Sequence, residues 1–405
     1  MYYYVIMRDI ENTKSDWQSH RMHAEVLQCP EALTRLGKDW DDLFERDIDA
    51  PPFLSRTWIS VFILEGRLRG TPLFIVVYAG RKLVALLGLA VHRLPGIKTA
   101  ELIGTREPSY LGVLSDPGYP SAIQYMADFI AAKSGIGLLC FRNVSSMDKT
   151  TEKLIVELRR KRFSCVRAMR NPCFSIQLPC SFDEYLQKTK STKQRKKLRK
   201  ERRRLSRYGQ VQLLRYEAAE ISREIMLRIA VIHEESWLKR RGADMLIQPF
   251  YQKLLLEMAQ AGFGKVWLIT IDGEDAAFKY ALIAHGRLHF QWTAFKLKYA
   301  SSVSVGKILT MMAIRDACDD GIISIDFGHG DALHKRFWAT DYHEVSRAAA
   351  GRGFIGILAI LGFATVWWLA RNQWLRKQYR GFRRKVHGVR ESLFSKRVSV
   401  GVRSN

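Results

Sequence analysis

Closely spaced cysteines are missing from this chain. Its six cysteines are scattered over 405 residues, and no two of them form a CxxC pair. Structural zinc sites and disulfide frameworks depend on such spacing, so the sequence indicates neither. The first 17 residues also lack the basic start and apolar centre of a secretion signal. We therefore expect a protein that begins and stays in the cytoplasm, where thiols are reduced.

Acidic residues are also in short supply. The chain has 40 Asp and Glu against 65 Lys and Arg, which gives a formal net charge of +25. Such an excess implies an anionic partner, and nucleic acid, a lipid headgroup, a nucleotide-linked sugar and the phosphates of CoA all satisfy it. The hydrophobic share of 47% is typical of a folded chain, and the length suits two domains of about 150 residues each plus a tail.

Helix and strand patterns alternate along the chain and predict an α/β (α+β) fold with mixed sheets flanked by helices. Turn dipeptides at 272–273 and 285–286 predict a three-stranded antiparallel meander over 266–295, followed by a helix at 306–317 and a strand at 322–327. The hairpin at 73–91 repeats the length and rhythm of 266–284, which suggests an internal duplication. The remaining predicted elements are helices at 54–64, 121–133 and 150–160 and strands at 138–143 and 164–170.

The densest charge lies at 188–207, where twelve Lys and Arg face a single acid, Glu201. No Pro or Gly interrupts the run, so it is predicted to be one helix with Leu198 and Leu205 as a thin apolar stripe. A solvated surface helix is the plain alternative. Because twelve like charges repel one another unless phosphates compensate, we favour contact with an anion. The candidate anion-binding residues are Lys196, Lys197, Arg203 and Arg204.

A loop of small residues leads into the helix predicted at 306–317. Free N–H groups at a helix N-terminus can hold a pyrophosphate, although a serine-rich loop can equally be an ordinary helix cap. The candidate cofactor-binding residues here are Ser301, Ser304, Val305, Gly306 and Lys307.

The segment 326–338 places carboxylates, imidazoles, glycines and cations directly after a strand, where ligands bind in α/β sheets. His329, His334 and His343 could suggest a metal, but their spacing is not diagnostic, so no metal is expected. Asp326 and Lys335 are the candidate catalytic pair. Asp326 would accept a proton or orient the substrate, and Lys335 would contact a phosphate or an oxyanion.

The basic run, the segment 232–237, the meander, the serine-rich loop and the Asp-Phe-x-x-Gly…Lys-Arg-x-Trp stretch together resemble BioF2-like, or CelD/BcsL-type, acetyltransferases of the GNAT superfamily. The resemblance extends from about residue 40 to residue 350. These families are similar to the Fem peptidyltransferases, which use two GNAT units, and many members act in exopolysaccharide or cellulose synthesis. The GNAT pyrophosphate motif falls on Ser301, Ser304 and Gly306, of which Gly306 alone matches. Asp326, Phe327, Gly328 and Lys335 match the Fem-like Asp-Phe-Gly…Phe-Lys pattern, whose lysine meets a substrate phosphate.

The resemblance implies tandem GNAT-like domains: an extension at 1–35, a degenerate first domain at 36–170, a second acyltransferase domain at 171–350 and a basic tail at 351–405. It also implies acetyl-CoA or another acyl-CoA as co-substrate, with direct transfer to an amine or hydroxyl. The expected acceptor is an anionic, phosphate-bearing sugar nucleotide or lipid-linked sugar; nucleic acid ranks below these as a partner. Two rival functions stay open, an aminoacyl-tRNA-dependent transferase of Fem type and a non-catalytic membrane or nucleic-acid binding module.

The tail combines an uncharged stretch with a polybasic end. Residues 354–370 carry no charge, and eleven Lys and Arg follow between 371 and 405 against Glu391 alone. Seventeen helical residues extend about 25 Å, which is short of the roughly 30 Å of a bilayer core. We expect an interfacial helix on an anionic membrane, which would make the protein peripheral at the inner face of the cell membrane. The alternative is a helix packed against the second domain.

Overall fold

The structure, a computed structural model, describes residues 22–105, 110–240, 245–299 and 304–371. Its strands join in one mixed sheet. They are β1 (Met22–Gln28), β2 (Thr71–Ala79), β3 (Lys82–Leu94), β4 (Ile97–Leu102), β5 (Leu114–Ser115), β6 (Leu138–Ser145), β7 (Ser164–Gln177), β8 (Val211–Glu217), β9 (Gly264–Ile271), β10 (Glu274–Ala284), β11 (Arg287–Phe295), β12 (Ser324–His329) and β13 (Asp341–Gly351). Their order in the sheet is β1-β2-β3-β4-β6-β13-β7-β12-β11-β10-β9-β8, with β5 beside β3.

Helices cover the sheet. They are α1 (Glu31–Arg46), α2 (Arg56–Leu64), α3 (Ala122–Ala132), α4 (Lys149–Arg160), α5 (Phe182–Thr189), α6 (Thr192–Leu205), α7 (Arg223–Glu234), α8 (Trp237–Arg240), α9 (Pro249–Gln260), α10 (Val305–Asp319), α11 (Leu333–Trp338) and α12 (Gly353–Arg371). Short 3₁₀ turns occur at Pro52–Leu54, Ala218–Glu220, Met245–Ile247 and Leu297–Tyr299.

Two halves of the chain repeat one arrangement. In each half an antiparallel meander leads through a helix to a strand that pairs parallel with the last meander strand: β4 with β6, and β11 with β12. We call β1 to β6 with α1 to α4 the first unit, and β8 to β12 with α5 to α11 the second unit. The predicted tandem α/β architecture is confirmed. The predicted meander at 266–295 is also confirmed, with positive φ at both turn dipeptides, Asp272-Gly273 and His285-Gly286.

The final strands of the two units are exchanged. β13, which follows the second unit, pairs with β6 of the first unit and with β7. β7, which follows the first unit, pairs in turn with β12 of the second unit. The domain boundaries drawn from sequence at 35/36 and 170/171 fall inside α1 and β7, because β1 pairs with β2 and β7 continues to Gln177.

The basic run contains two helices, so the prediction of one continuous helix was wrong. The chain breaks at Ser191, whose hydroxyl accepts a hydrogen bond from the Gln194 N–H while the Gln194 side chain accepts one from the Ser191 N–H. This reciprocal cap satisfies free donors at the start of α6 and starts a new helix. The predicted apolar stripe is confirmed, since Leu198 and Leu205 of α6 are buried in the core that α10 also lines.

α12 packs with one side on the sheet. Its Ile360 is buried in a small cluster with Leu138 and Cys140 of β6 and Ala349 of β13. The alternative expectation was a helix packed against the second domain. The helix contacts the exchanged strand β13 of that domain, and it also contacts β6 and β7. Within the described part of the chain, no helix is both long and apolar enough to be a membrane span.

Candidate active site

A row of functional side chains crosses the sheet where the two units meet. The parallel pairing of β11 with β12 covers three residues of each strand and ends at His289 opposite Asp326, although both strands continue. At the same level, Cys173 of β7 lies opposite His329 of β12 on one side and His343 of β13 on the other. Strand pairing thus brings together three histidines, a carboxylate and a thiol that lie far apart in the sequence.

Asp326 is held by a residue of the first unit. The Tyr110 hydroxyl donates a 2.6 Å hydrogen bond to Asp326 Oδ1, and the Gly328 N–H donates a 2.5 Å bond to the same oxygen. The other oxygen, Oδ2, lies 3.6 Å from His343 Nε2. Because burial and the neighbouring Asp326 carboxylate raise the pKa of Tyr110 well above its usual value, the phenol stays a donor at neutral pH. The carboxylate is therefore positioned by the first unit and aimed at an imidazole of β13.

Two of the histidines are half-buried and neutral. Burial lowers the pKa of His289 and of His329 to about 4, despite the opposing effect of Asp326. His289 Nδ1 and His329 Nε2 are buried atoms without a hydrogen-bond partner in the described structure. An orphaned buried nitrogen costs free energy, so atoms of this kind are expected where a ligand completes the site. The Cys173 thiol beside Tyr110 is fully buried, and burial raises its pKa to about 12, so it is no thiolate nucleophile.

Lys335 supports the turn after β12. Its Nζ donates hydrogen bonds of 3.0 Å to the Gly328 carbonyl and 2.5 Å to the His329 carbonyl. Gly328 has φ +69°, a left-handed conformation that favours glycine. Lys335 therefore reaches the backbone of the turn that holds Asp326, and its predicted contact with a phosphate or an oxyanion stays a prediction. Burial lowers the pKa of Lys335, and nearby Cys173 and Asp326 oppose that effect.

A second lysine, Lys279 of β10, is buried close by. Its Nζ donates a 2.7 Å hydrogen bond to Thr293 Oγ1 and lies 4.2 Å from the centre of the Phe290 ring. Within the described residues it has no carboxylate partner in an ion pair. Burial, and then the charge of Lys335, lower the pKa of Lys279 to about 7. Burial, and then the charges of Lys335 and Lys279, lower the pKa of His334, so a mainly neutral imidazole stands beside the two lysines near the end of β12.

Of the predicted cofactor-binding residues, Ser301 lies outside the described residues. Ser304 is the N-cap of α10, and Val305, Gly306 and Lys307 form its first turn. A Cβ on Gly306 would come within 3.1 Å of the Phe295 ring, so glycine here lets α10 begin close to the end of β11. The Lys307 N–H donates to the Ser304 carbonyl oxygen, so Val305 and Gly306 are the residues of this turn whose N–H groups can be offered to an anion.

Basic and aromatic side chains surround the start of α10. Lys307 Nζ lies 4.2 Å from the centre of the Phe337 ring and 3.8 Å from the Glu201 carboxylate of α6. Lys190 Nζ lies 5.1 Å from the same ring and is buried, and burial lowers the pKa of Lys190 to about 8. The candidate anion-binding residues of α6 are all solvent-exposed: Lys196, Lys197, Arg203 and Arg204. Their exposure fits either a binding face or a solvated one.

A small cleft opens between the two units, lined mostly by the first unit and by Phe250 and Tyr251 of the second. Its wall contains Arg67 of the first unit, whose guanidinium lies 4.6 Å from the centre of the Phe250 ring of the second unit. Successive ring contacts lead inward from this wall, from Phe250 to Phe62, Trp58 and Phe53. Phe53 then contacts both Tyr110 and His289. The cleft and the row of polar side chains are therefore joined by one aromatic wall. Among the described residues, no cluster of His, Cys, Asp or Glu could hold a metal ion.

Comparison with known families identifies the second unit. The acetyltransferase (GNAT) domain model matches residues 192–336. The second unit is a GNAT domain. This match shows an enzyme of the acyltransferase class. A comparison with curated proteins gave no match.

Two solved structures share the fold of most of this chain. The C-terminal domain of a putative lysylphosphatidylglycerol synthetase from Agrobacterium fabrum aligns with a TM-score of 0.53 at 13% identity, over 81% of this chain and 95% of that one. FemX aligns with a TM-score of 0.55 at 11% identity, over 80% of this chain and 96% of that one. At these identities the similarity concerns the fold alone. It extends over the first unit as well as the second.

Sequence reasoning missed most of the row around Asp326. Tyr110, His289 and Cys173 were not predicted, and His343 was considered only as a metal ligand. Each belongs to a different element, and only strand pairing and the contact between units bring them together. The one signal available was His289 itself, an imidazole between the apolar residues Leu288 and Phe290 of β11.

Proposed function

We propose that the chain transfers an acyl group from acetyl-CoA or another acyl-CoA directly to an amine or hydroxyl of an anionic acceptor. The observation that carries the proposal is the position of Asp326: it stands where the β11 and β12 pairing ends in the GNAT domain, held by Tyr110 of the first unit. In this proposal the CoA pyrophosphate lies on the first turn of α10, and the thioester lies at the end of the paired strands.

The acceptor's nucleophile would approach from the cleft between the units. Asp326, with His343 3.6 Å away, would take the proton that the nucleophile loses. The ammonium groups of Lys335 and Lys279 would stabilise negative charge that develops on the thioester oxygen. No covalent enzyme intermediate is needed, and the buried, protonated Cys173 offers no nucleophile for one.

The proposed acceptor carries phosphate, as a sugar nucleotide or a lipid-linked sugar does. Arg67 and Arg69 line the cleft, and both are exposed, so each can contact a phosphate or a carboxylate there. The likeness to BioF2-like and CelD/BcsL-type enzymes supports a precursor of a cell-envelope polymer or exopolysaccharide. The rival donor, an aminoacyl-tRNA, is supported by the fold shared with FemX and by the exposed cations of α6.

A ligand series tests donor and acceptor separately. Thermal unfolding would be followed with acetyl-CoA, longer acyl-CoAs, desulfo-CoA, UDP-sugars and an aminoacyl-tRNA. We expect saturable stabilisation by acyl-CoA and desulfo-CoA, because a ligand that binds only the folded state raises its stability. The variant Gly306→Val, which would press on Phe295 in the first turn of α10, should lose that stabilisation. Stabilisation by aminoacyl-tRNA alone would replace this proposal by the rival one.

A further inference from the structure

α12 presents two unlike faces. Gly356 and Ile360 are buried, and Phe363 is partly buried, against the sheet formed by β6, β13 and β7. A Cβ on Gly356 would come within 2.9 Å of the Gly137 carbonyl oxygen and 3.1 Å of the Gly351 carbonyl carbon, so glycine lets the helix approach this backbone. Residues 356, 360 and 363 lie on one face of the helix, because they are spaced by four and three residues. Their packing on the sheet holds the helix along the surface of the protein. A helix fixed in this way cannot also cross a bilayer.

The opposite face is a stripe of exposed large apolar side chains. Phe354 is 76% exposed, Leu358 is 50% exposed and Leu361 is 57% exposed, at positions i, i+4 and i+7 of the helix. Ile355 and Ile357, both exposed, flank the stripe. Leu94, at the tip of the β3–β4 hairpin, extends it, since Gly96 of that tip lies against Ile355. Scattered single apolar residues on a surface are ordinary, whereas a contiguous patch marks a contact site.

The two charged residues that flank the stripe in the sequence, Arg352 and Arg371, are both cations. In the sequence, no charged residue separates Arg352 from Arg371. Beyond this stretch, residues 371–405 carry eleven Lys and Arg against one acid. A second copy of the chain would bring the same positive charge, on a chain of net +25, into the contact. An anionic bilayer offers an apolar interior for the stripe and negative headgroups for these cations.

We propose that the exposed stripe of α12 (Phe354, Leu358 and Leu361), together with Leu94, docks into the headgroup and acyl boundary of an anionic lipid bilayer. The helix then lies parallel to the membrane surface with its buried face still on the sheet. The basic residues after 370 contribute charge attraction, so binding depends on both acidic lipid and low salt. This docking is independent of the proposed acyl transfer and is measured without substrate.

Co-sedimentation of the full chain with vesicles tests the proposal. One vesicle set contains only phosphatidylcholine, and a second contains 30% phosphatidylglycerol. We expect tight binding to the second set only, weakened by raising NaCl. The triple variant Phe354→Ser, Leu358→Ser, Leu361→Ser should weaken binding on the order of 100-fold, since each large apolar side chain adds favourable transfer out of water.

A matched control removes apolar side chains that are exposed elsewhere. The triple variant Leu64→Ser, Met147→Ser, Ile323→Ser changes residues that are 70%, 69% and 57% exposed and should bind vesicles as the original chain does. Both triple variants should unfold at the same temperature as the original chain. If the stripe variant unfolds at a lower temperature, the single variants Phe354→Ser and Leu361→Ser replace it in the vesicle assay. Equal vesicle binding by the two triple variants would overturn the proposal. So would a concentration-dependent dimer that the stripe variant abolishes, since the stripe would then be covered by a second copy.

Discussion

Lys279 offers a sharp test of the electrostatics around the end of β12. Its ammonium is fully enclosed, with a threonine hydroxyl at 2.7 Å and a ring face at 4.2 Å as its contacts. Burying a charge without a counter-charge is costly. The variant Lys279→Met keeps much of the volume of the side chain and removes the charge. It should therefore be more stable than the original chain at neutral and acidic pH.

The size of the effect follows from the pKa of Lys279, which falls from 10.5 to about 7 on folding. Each pKa unit corresponds to about 1.4 kcal/mol, so the charged form costs on the order of 3 to 5 kcal/mol at pH 7 and below. Loss of the hydrogen bond to Thr293 destabilises the variant by about 1 kcal/mol and offsets part of this gain. Between pH 7 and about 10.5 the unfolded chain binds more protons than the folded one, so the stability of the original chain rises with pH. The advantage of the methionine variant should shrink over that interval.

Urea unfolding of both proteins at pH 6, 7, 8 and 9 measures this difference in stability directly. The contributions of titrating groups that both proteins share cancel when the two free energies of unfolding are subtracted. Lys193→Met, at an exposed position of α6, is the matched control and should show no pH-dependent difference. A difference between Lys279→Met and the original chain that stays constant from pH 6 to pH 9 would refute the reasoning. So would a methionine variant that is the less stable protein at pH 6.

Three further predictions concern the site. Tyr110→Phe removes the donor to Asp326 and should lower the transfer rate by about 10- to 100-fold while costing about 1 to 3 kcal/mol in urea unfolding; an unchanged rate would make Tyr110 purely structural. Lys335→Met leaves two backbone carbonyls of the β12 turn without their donor and should destabilise the chain by about 1 to 3 kcal/mol as well as slow transfer; an unchanged unfolding curve would show that the turn does not need the lysine. The third prediction concerns the exposed cations of α6, Lys196, Lys197, Arg203 and Arg204. Replacing all four by Glu should leave the unfolding curve unchanged, since exposed charges contribute little to stability, but should abolish salt-sensitive binding to the anionic partner in filter or sedimentation assays. Unchanged binding would show that these residues only keep the protein soluble.

The local elements could be predicted from the sequence because their signals are local. The turn dipeptides at 272–273 and 285–286 predicted β9, β10 and β11 to within three residues, and the helix expected at 306–317 is α10. Ser191 also carried a local signal, a serine three residues before Gln194, which was overlooked in favour of the continuous charge. The strand β13 was not predicted. Its small residues 348–350 lie between β6 and β7 in the sheet, and this pairing with distant strands leaves no local signal in the sequence.

The candidate site could be predicted only in part. Asp326 was found because it lies near the end of a predicted strand and matches a family pattern. Its partners depend on strand exchange and on contact between units, which no periodicity within one segment reveals. Lys335 was expected at a substrate phosphate, and the structure adds that its ammonium already binds two carbonyls. Phosphate contact by its remaining proton stays a prediction.

The central claim is that Asp326 serves acyl transfer at the end of the β11 and β12 pairing. The direct measurement follows radiolabelled acetyl groups from acetyl-CoA into a phosphate-bearing acceptor fraction, with the original chain and Asp326→Asn compared at equal acetyl-CoA occupancy. Loss of a general base costs about 10²- to 10⁴-fold in rate, so we expect the asparagine variant to be slower by that factor while it binds acetyl-CoA with unchanged affinity. Transfer at the original rate by Asp326→Asn would contradict the account.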